Sequence, residues 1–207
     1  MRGRFITIEG IEGVGKSSNL AFIRDWIESM GIEVVVTREP GGTPLAEEIR
    51  ELLLSPRNEV VDETSELLLV FAARAQHLNT RILPAIERGA WVLSDRFTDA
   101  TYAYQGGGRG LNKALIEQLE ELVQKSVRPG LTFLLDVPVE IGLARARSRS
   151  EPDRFEAEQS AFFERVRNAY LERAALQPER FAIIDASPSL SEVQKQIAVV
   201  LKGLEWR

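Results

Sequence analysis

The 207-residue sequence contains no cysteine and a single histidine, His77. Without thiols there is no disulfide framework, thiolate nucleophile, iron–sulfur cluster or Cys/His zinc site. One histidine leaves almost no room for a His general base. Long apolar runs are missing as well: nothing approaches the roughly 18 residues of a membrane span, and the apolar stretch in the N-terminal MRGRFITIEG is too short for a signal peptide. A soluble, cytoplasmic protein without a membrane partner is expected. Positive charge is not in excess either. The net charge of -5 argues against capture of a nucleic-acid backbone or an acidic membrane by the whole surface. A small acidic ligand in a local basic pocket stays open.

Hydrophobic residues make up 44% and charged residues 28% of the chain, the range of a globular protein with a real core. The length predicts one domain over residues 1–207. Its 26 basic residues divide into 21 Arg and 5 Lys. Arginine forks suit planar phosphate and carboxylate groups, although codon bias in a GC-rich genome would give the same excess.

Five short apolar runs, Phe5 to Ile8, Ile32 to Thr37, Ala90 to Ser94, Leu131 to Val137 and Phe181 to Ile184, lack polar alternation and read as buried parallel strands. Helical patterns separate them: Lys16 to Met30, Thr43 to Leu54, one long helix from Asp62 to Glu87, then Lys113 to Lys125, Val139 to Arg147, Glu156 to Leu176 and Leu190 to Leu201. This alternation predicts an α/β fold, a five-stranded parallel sheet flanked by helices, with ligands at the carboxyl ends of the strands. The polar stretch Ser148 to Asp153, containing Pro152, reads as a mobile lid.

Directly after the first strand stands Gly10-Ile11-Glu12-Gly13-Val14-Gly15-Lys16-Ser17, a GxxxxGK[ST] motif opening a helix. Its glycines let backbone N–H groups wrap a phosphate, Lys16 reaches the β and γ phosphates, and the Ser17 hydroxyl suits Mg²⁺. With Ser18, these nine residues form the expected ATP-binding set. Two further strands end in Asp95 and Asp136. Asp95, followed by Arg96, is the better candidate to assist a Mg²⁺ shell, whereas Asp136 reads equally well as a helix cap. Phe71 and Arg74 lie three apart, on a helix face continued by Leu67 and Leu78. An arginine in an apolar face requires a buried partner.

These motifs, with TREPGGT at 37–43, FAARAQH at 71–77, DRFTDATYAYQGGGRG at 95–110 and ARARSRSEPDRFE at 144–156, resemble in order the bacterial-type thymidylate kinases among the P-loop nucleoside monophosphate kinases. The resemblance covers nearly the whole chain. It implies transfer of the γ-phosphoryl of MgATP to dTMP, giving dTDP and ADP. An acceptor that is already a phosphate monoester is mostly dianionic at pH 7 and needs no protein base, so one histidine is no handicap. By the same resemblance, Arg38, Arg50 and Arg96 grip the dTMP phosphate and Glu39 shapes the adjoining loop, while Phe71 stacks on thymine and Arg74 bonds a base carbonyl. Thr101 and Gln105 would complete the base contacts and Tyr104 would pack beneath the sugar. His77 has no matching role and reads as a helix-surface or satisfied core histidine. Ala100-Thr101 and Tyr102 depart from the family, where a Ser-Ser pair and an aliphatic are commoner. For Arg50, the alternative is a surface ion pair with Glu47.

The loop at 10–17 holds no arginine, so charge on the transferring phosphoryl has to be met from elsewhere. Lys16, Arg96 and Glu12, with Arg147, Arg149 and Arg154 of a short arginine-rich lid over about 147–156, form the expected catalytic group. The runners-up are kinases for dUMP, CMP or GMP and a P-loop ATPase. A GTPase base reader is missing, since Asn112-Lys113 continues with Ala114 and Leu115. The apolar run Leu67-Leu68-Leu69-Val70 suggests burial on two sides of its helix, and the resemblance implies a homodimer through it.

Overall fold

The computed structural model describes residues 3–147, 154–156 and 158–204. Strands β1 (Phe5–Glu9), β2 (Val34–Arg38), β3 (Trp91–Asp95), β4 (Leu131–Asp136) and β5 (Phe181–Asp185) form one sheet in the order β2-β3-β1-β4-β5. All four pairings are parallel, with Ile8 opposite both Asp95 and Phe133, and Arg38 opposite Asp95. The order puts β3 between β2 and β1, so the tips carrying Glu9, Arg38 and Asp95 lie side by side. Each strand runs within one or two residues of its sequence expectation, as buried apolar runs do when both faces are covered.

Helices α1 (Lys16–Glu28), α2 (Pro44–Leu54), α3 (Glu63–His77), α4 (Leu83–Glu87), α5 (Thr98–Thr101), α6 (Lys113–Gln124), α7 (Val139–Arg147), α8 (Ser160–Leu176) and α9 (Leu190–Gly203) flank it. Local chemistry sets their ends. Thr43 caps α2 ahead of Pro44, the Asp62 carboxylate caps α3 at Ser65 N–H (3.0 Å), and Ser189 with Glu192 makes a capping box on α9. Successive residues of β1 alternate between two clusters: Ile6 and Ile8 pack with Ile23, Ile27, Phe163 and Ile197, whereas Phe5 packs with Leu78, Ile82 and Phe97.

The long helix expected over Asp62 to Glu87 is interrupted. A wide π turn, Leu78–Ile82, separates α3 from α4. Pro84 near the start of α4 has no N–H to give and its ring crowds the carbonyl four residues back, so the chain widens there. A second wide turn, Tyr102–Gly108, follows α5, closed by Arg109 N–H on Tyr104 O (2.8 Å). It packs against α8 so tightly that a Cβ on Gly107 would stand 2.6 Å from the Ala169 Cβ and 2.8 Å from Arg165 O. The helix expected from Glu156 begins only at Ser160; ahead of it Arg154 is bonded to α2 and α3, and Phe155 packs edge-on against Tyr104.

Between the sheet and α8 lies a buried ionic group. The Asp99 carboxylate accepts from Arg180 Nη1 and Nη2 (2.7 Å each) and Arg173 Nε (3.1 Å), and Arg180 Nη1 also donates to Thr132 Oγ1 (2.8 Å). Removing one member of such a buried set leaves the others charged and unpaired. Asp99→Ala is therefore expected to lower the unfolding free energy by about 3–5 kcal/mol in urea denaturation; a loss below about 1 kcal/mol would show that water reaches these arginines.

Candidate active site

The P-loop leaves β1 and closes on α1. Gly13 takes a φ of +74°, and a Cβ there would lie 1.9 Å from Gly142 O of α7. Only glycine allows this approach, which seats α7 directly on the loop. Lys16 Nζ donates to Gly10 O (3.0 Å) and Ile11 O (2.9 Å), leaving one donor of its ammonium for an incoming group. The Glu12 carboxylate accepts from Arg96 Nη2 (2.8 Å) and from the Tyr104 hydroxyl, 2.7 Å from each oxygen. The Arg96 guanidinium also lies 4.6 Å from the Tyr104 ring centre.

A cavity of about 290 Å³ opens beside this loop, close to the size of a small-ligand site. One end is cationic, lined by Lys16, Arg38, Arg50 and Arg96 with Ser17 and Asp95. Arg38 pairs with Glu47 (2.7 Å), which also accepts from Gly42 N–H (2.7 Å). Arg50 is thus not the partner of Glu47; its Nη1 donates to Pro40 O (2.9 Å), after a cis Glu39–Pro40 bond. The other end is lined by Glu39, Arg74, Thr101, Tyr104 and Gln105. Arg74 is buried: Nε donates to Glu39 Oε2 (2.7 Å), and Nη2 to Thr101 Oγ1 (2.9 Å) and Phe97 O (3.2 Å). Its Nη1, also buried, has no protein partner. His77 is a satisfied core histidine, its two ring nitrogens bonded to Glu39 Oε1 (2.9 Å) and Thr37 Oγ1 (2.6 Å).

Several sequence expectations are corrected. Phe71 does not line the cavity; it packs with Leu67, Tyr102 and Ile116, and Val70 and Arg74 are the α3 residues at the cavity wall. Glu66, Val70 and Arg74, four apart, form one stripe, and Phe71 lies on the neighbouring one. Phe71 instead covers Arg74, whose guanidinium stands 4.8 Å from its ring centre and 5.0 Å from that of Phe97. Arg154 does not point at the P-loop. Its Nε donates to Leu53 O (2.7 Å) and its Nη2 to Glu66 (2.6 Å), fastening residues 154–156 to α2 and α3, while the stretch Ser148 to Asp153 expected as a lid lies outside the described residues. Arg147 is exposed at the end of α7, Arg149 lies outside the described residues, and Ser18 is exposed on α1 away from the cavity. Asp136 does not serve as a helix cap: it accepts from Arg167 Nε (2.7 Å) and Nη2 (2.8 Å). Glu66, Val70, Phe97 and Phe155 belong to the site or its support and were not anticipated.

Burial sets the electrostatics. It pushes the Lys16 ammonium down to about 8, with Arg96 adding to the shift. Burial works against the Arg96 charge, yet Tyr104, Glu12, Tyr170 and Asp95 hold its pKa well above the usual arginine value. Arg50 is lowered by burial and then by Arg38 and Arg96. At the root of the loop, Glu9 accepts from Phe97 N–H (2.7 Å) and the Tyr170 hydroxyl (2.8 Å), and burial followed by Asp99 raises its pKa to about 8.

Comparison with known proteins places this architecture. The thymidylate kinase family model matches residues 8–197. The chain is 64% identical over 201 residues to the thymidylate kinase of Chromohalobacter salexigens, covering 96% of this chain and 95% of that one. It is 62% identical over 197 residues to that of Hahella chejuensis, covering 95% of each. The crystal structure of thymidylate kinase from Ehrlichia chaffeensis superposes with a TM-score of 0.79 at 34% identity, covering 98% of this chain and 99% of that one.

The raised Glu9 pKa makes stability depend on pH. The folded chain keeps a proton that the unfolded chain, with an ordinary value of 4.5, releases. That contribution is complete below pH 4.5 and is lost as pH rises through 8. Glu9→Gln, which cannot ionise, should gain about 1–3 kcal/mol relative to the parent between roughly pH 5.5 and pH 8.5 in urea denaturation. Parallel pH profiles for the two proteins would rule this out.

Proposed function

We infer from its cavity how this chain, which belongs to the thymidylate kinase family, transfers the γ-phosphoryl of ATP to dTMP to give dTDP and ADP. The observation that carries the reading is the unpartnered, buried Arg74 Nη1 at one end of a cavity whose other end gathers guanidinium groups. A buried donor without a partner is unfavourable by about 1–3 kcal/mol, and a pyrimidine carbonyl would satisfy it. Arg38, Arg50 and Arg96 line the same cavity, and burial first, then the charges of Arg38 and Arg96, lowers the Arg50 pKa. A phosphate dianion between them relieves that repulsion and is held bidentately.

The roles follow. Glu39 and Thr101 aim Arg74, Gln105 reads the base edge, and Val70 with Phe155 supplies apolar wall. Tyr104, fixed through its hydroxyl on Glu12, closes the cavity under the sugar. Lys16 and the P-loop amides hold the donor phosphates, and no residue is needed as a base because the acceptor arrives ionised. Ser17 and Asp95 put a hydroxyl and a carboxylate at the cationic end, and no cluster of three or more acidic, His or Cys ligands exists among the described residues. Two protein oxygens suit Mg²⁺, which keeps several waters and takes phosphate oxygens. When bound, the ion would neutralise charge on the β and γ phosphates. Arg147, at the end of the α7 helix that is seated on the loop through Gly13, and Arg149, two residues on in sequence, would meet the charge of the transferring phosphoryl. A homodimer is the assembly we favour, because Leu68 of α3 and Leu122 of α6 are exposed. No helix among the described residues can cross a membrane, and we place the enzyme in the cytoplasm.

A coupled ADP-release assay with MgATP and a panel of monophosphates tests the reading. ADP should form fastest with dTMP, with dUMP weaker by about 10–200-fold for the missing methyl. ADP release without any acceptor would instead indicate an ATPase. Arg149→Ala should lower kcat by about two to four orders of magnitude while the KM for dTMP stays nearly constant. A kcat within about threefold of the parent for both Arg147→Ala and Arg149→Ala would remove the lid arginines from the mechanism.

A further inference from the structure

Glu66, in the first turn of α3, is fully buried and lies outside the cavity wall. Three elements converge on it. Oε1 accepts from Gln105 Nε2 (2.8 Å) and Arg109 Nε (3.4 Å), and Oε2 accepts from Arg154 Nη2 (2.6 Å). Arg109 is tied in addition to Glu158. Salt-bridged to two guanidiniums, the Glu66 carboxylate has only acceptors to offer.

That has a consequence for Gln105. A primary amide can present either its oxygen or its NH₂ to a neighbour, and the two orientations have nearly the same shape. Next to an acceptor-only group, only the NH₂ can face Glu66. The amide oxygen then belongs to the other side of a side chain that lines the cavity, and among the described residues no protein group donates to it. We propose that Glu66 is a positioning residue that locks the Gln105 amide with its oxygen toward the cavity, so that the site accepts a pyrimidine carrying an N3–H. This rests on the base-reading role given to Gln105 above. Thymine and uracil carry that proton. Cytosine presents a bare N3 acceptor there, and two acceptors facing each other repel. Arg74 cannot make this distinction at N3, since its free Nη1 is a donor suited to a carbonyl. The selection arises from a carboxylate that never touches the substrate.

The test is the ratio of kcat/KM for dTMP to that for dCMP, measured with MgATP on the parent, Glu66→Gln, Gln105→Leu and the double variant. With Glu66→Gln either amide orientation finds a partner, so the ratio should fall by about tenfold or more. Gln105→Leu should lower it by a similar factor, and the double variant should fall no further than either single one. If Gln105→Leu lowers the ratio but Glu66→Gln leaves it within about twofold, the Glu66 role is wrong and the reading of the base by Gln105 stands. If Gln105→Leu leaves the ratio unchanged, the base-reading assignment fails and the proposal with it. Losses that multiply in the double variant would show independent actions and overturn the proposal. Should Glu66→Gln fold poorly, Glu66→Asp keeps the charge facing both arginines but withdraws the carboxylate from Gln105. It should still lower the ratio, by about threefold or more, and an unchanged ratio for it overturns the proposal equally.

Discussion

The cavity is organised around one buried cation. A guanidinium shut away from water is tolerated only when paired and hydrogen-bonded, and Arg74 meets that demand through Glu39. Glu39 comes directly after β2, so the ion pair ties the tip of the sheet to α3 across the cavity. The pair draws in further groups. The second Glu39 oxygen takes His77, and His77 takes Thr37, while a Cβ on Gly42 would lie 2.5 Å from the His77 ring. Phe71 and Phe97 bring their rings against the cation. The geometry that leaves Nη1 available is therefore set by residues of which several never face the ligand.

The arginine excess acquires a physical explanation in the same terms. A good part of it is structural. Arg167 is spent on Asp136, and Arg173 and Arg180 on Asp99. Arg145 joins α7 to the carbonyls of Ala186 and Ser187 after β5 (2.8 Å each). A planar fork can satisfy two acceptors at once with little loss of freedom, which suits seams between secondary elements. The arginine excess by itself therefore does not single out phosphate chemistry, and position along the motifs is the better guide.

Features encoded within a short stretch are legible in the sequence. The P-loop and the strands depend on neighbours within a few residues, and Arg38, Arg50, Arg74, Arg96, Thr101, Tyr104 and Gln105 all reach the cavity wall. What escaped depends on packing between distant segments. Glu66 reads as an ordinary acidic residue in a helix's first turn, and only the convergence of the wide turn, α3 and Arg154 gives it work. The resemblance puts Phe71 against the base, and on a helix the spacings of three and four both keep residues on one side. The packing of α3 against Tyr102 and Ile116 decided between them. Arg154 was placed by its neighbours in sequence, whereas Glu66 captures it.

Arg96 sits in a left-handed backbone conformation, φ 69°, held there by its N–H on Ile8 O (3.0 Å) and by the Ser94 hydroxyl on its carbonyl (2.7 Å). A residue with a Cβ in that region carries about 1–2 kcal/mol of strain. Glycine would relax the backbone but has no guanidinium to offer, and any other side chain keeps the strain while losing the fork. The position therefore has no substitution that improves stability and keeps the chemistry. Schemes that raise thermal tolerance by replacing strained non-glycine residues would select this site early, and here the stabilised product would lose the guanidinium that pairs with Glu12 of the P-loop.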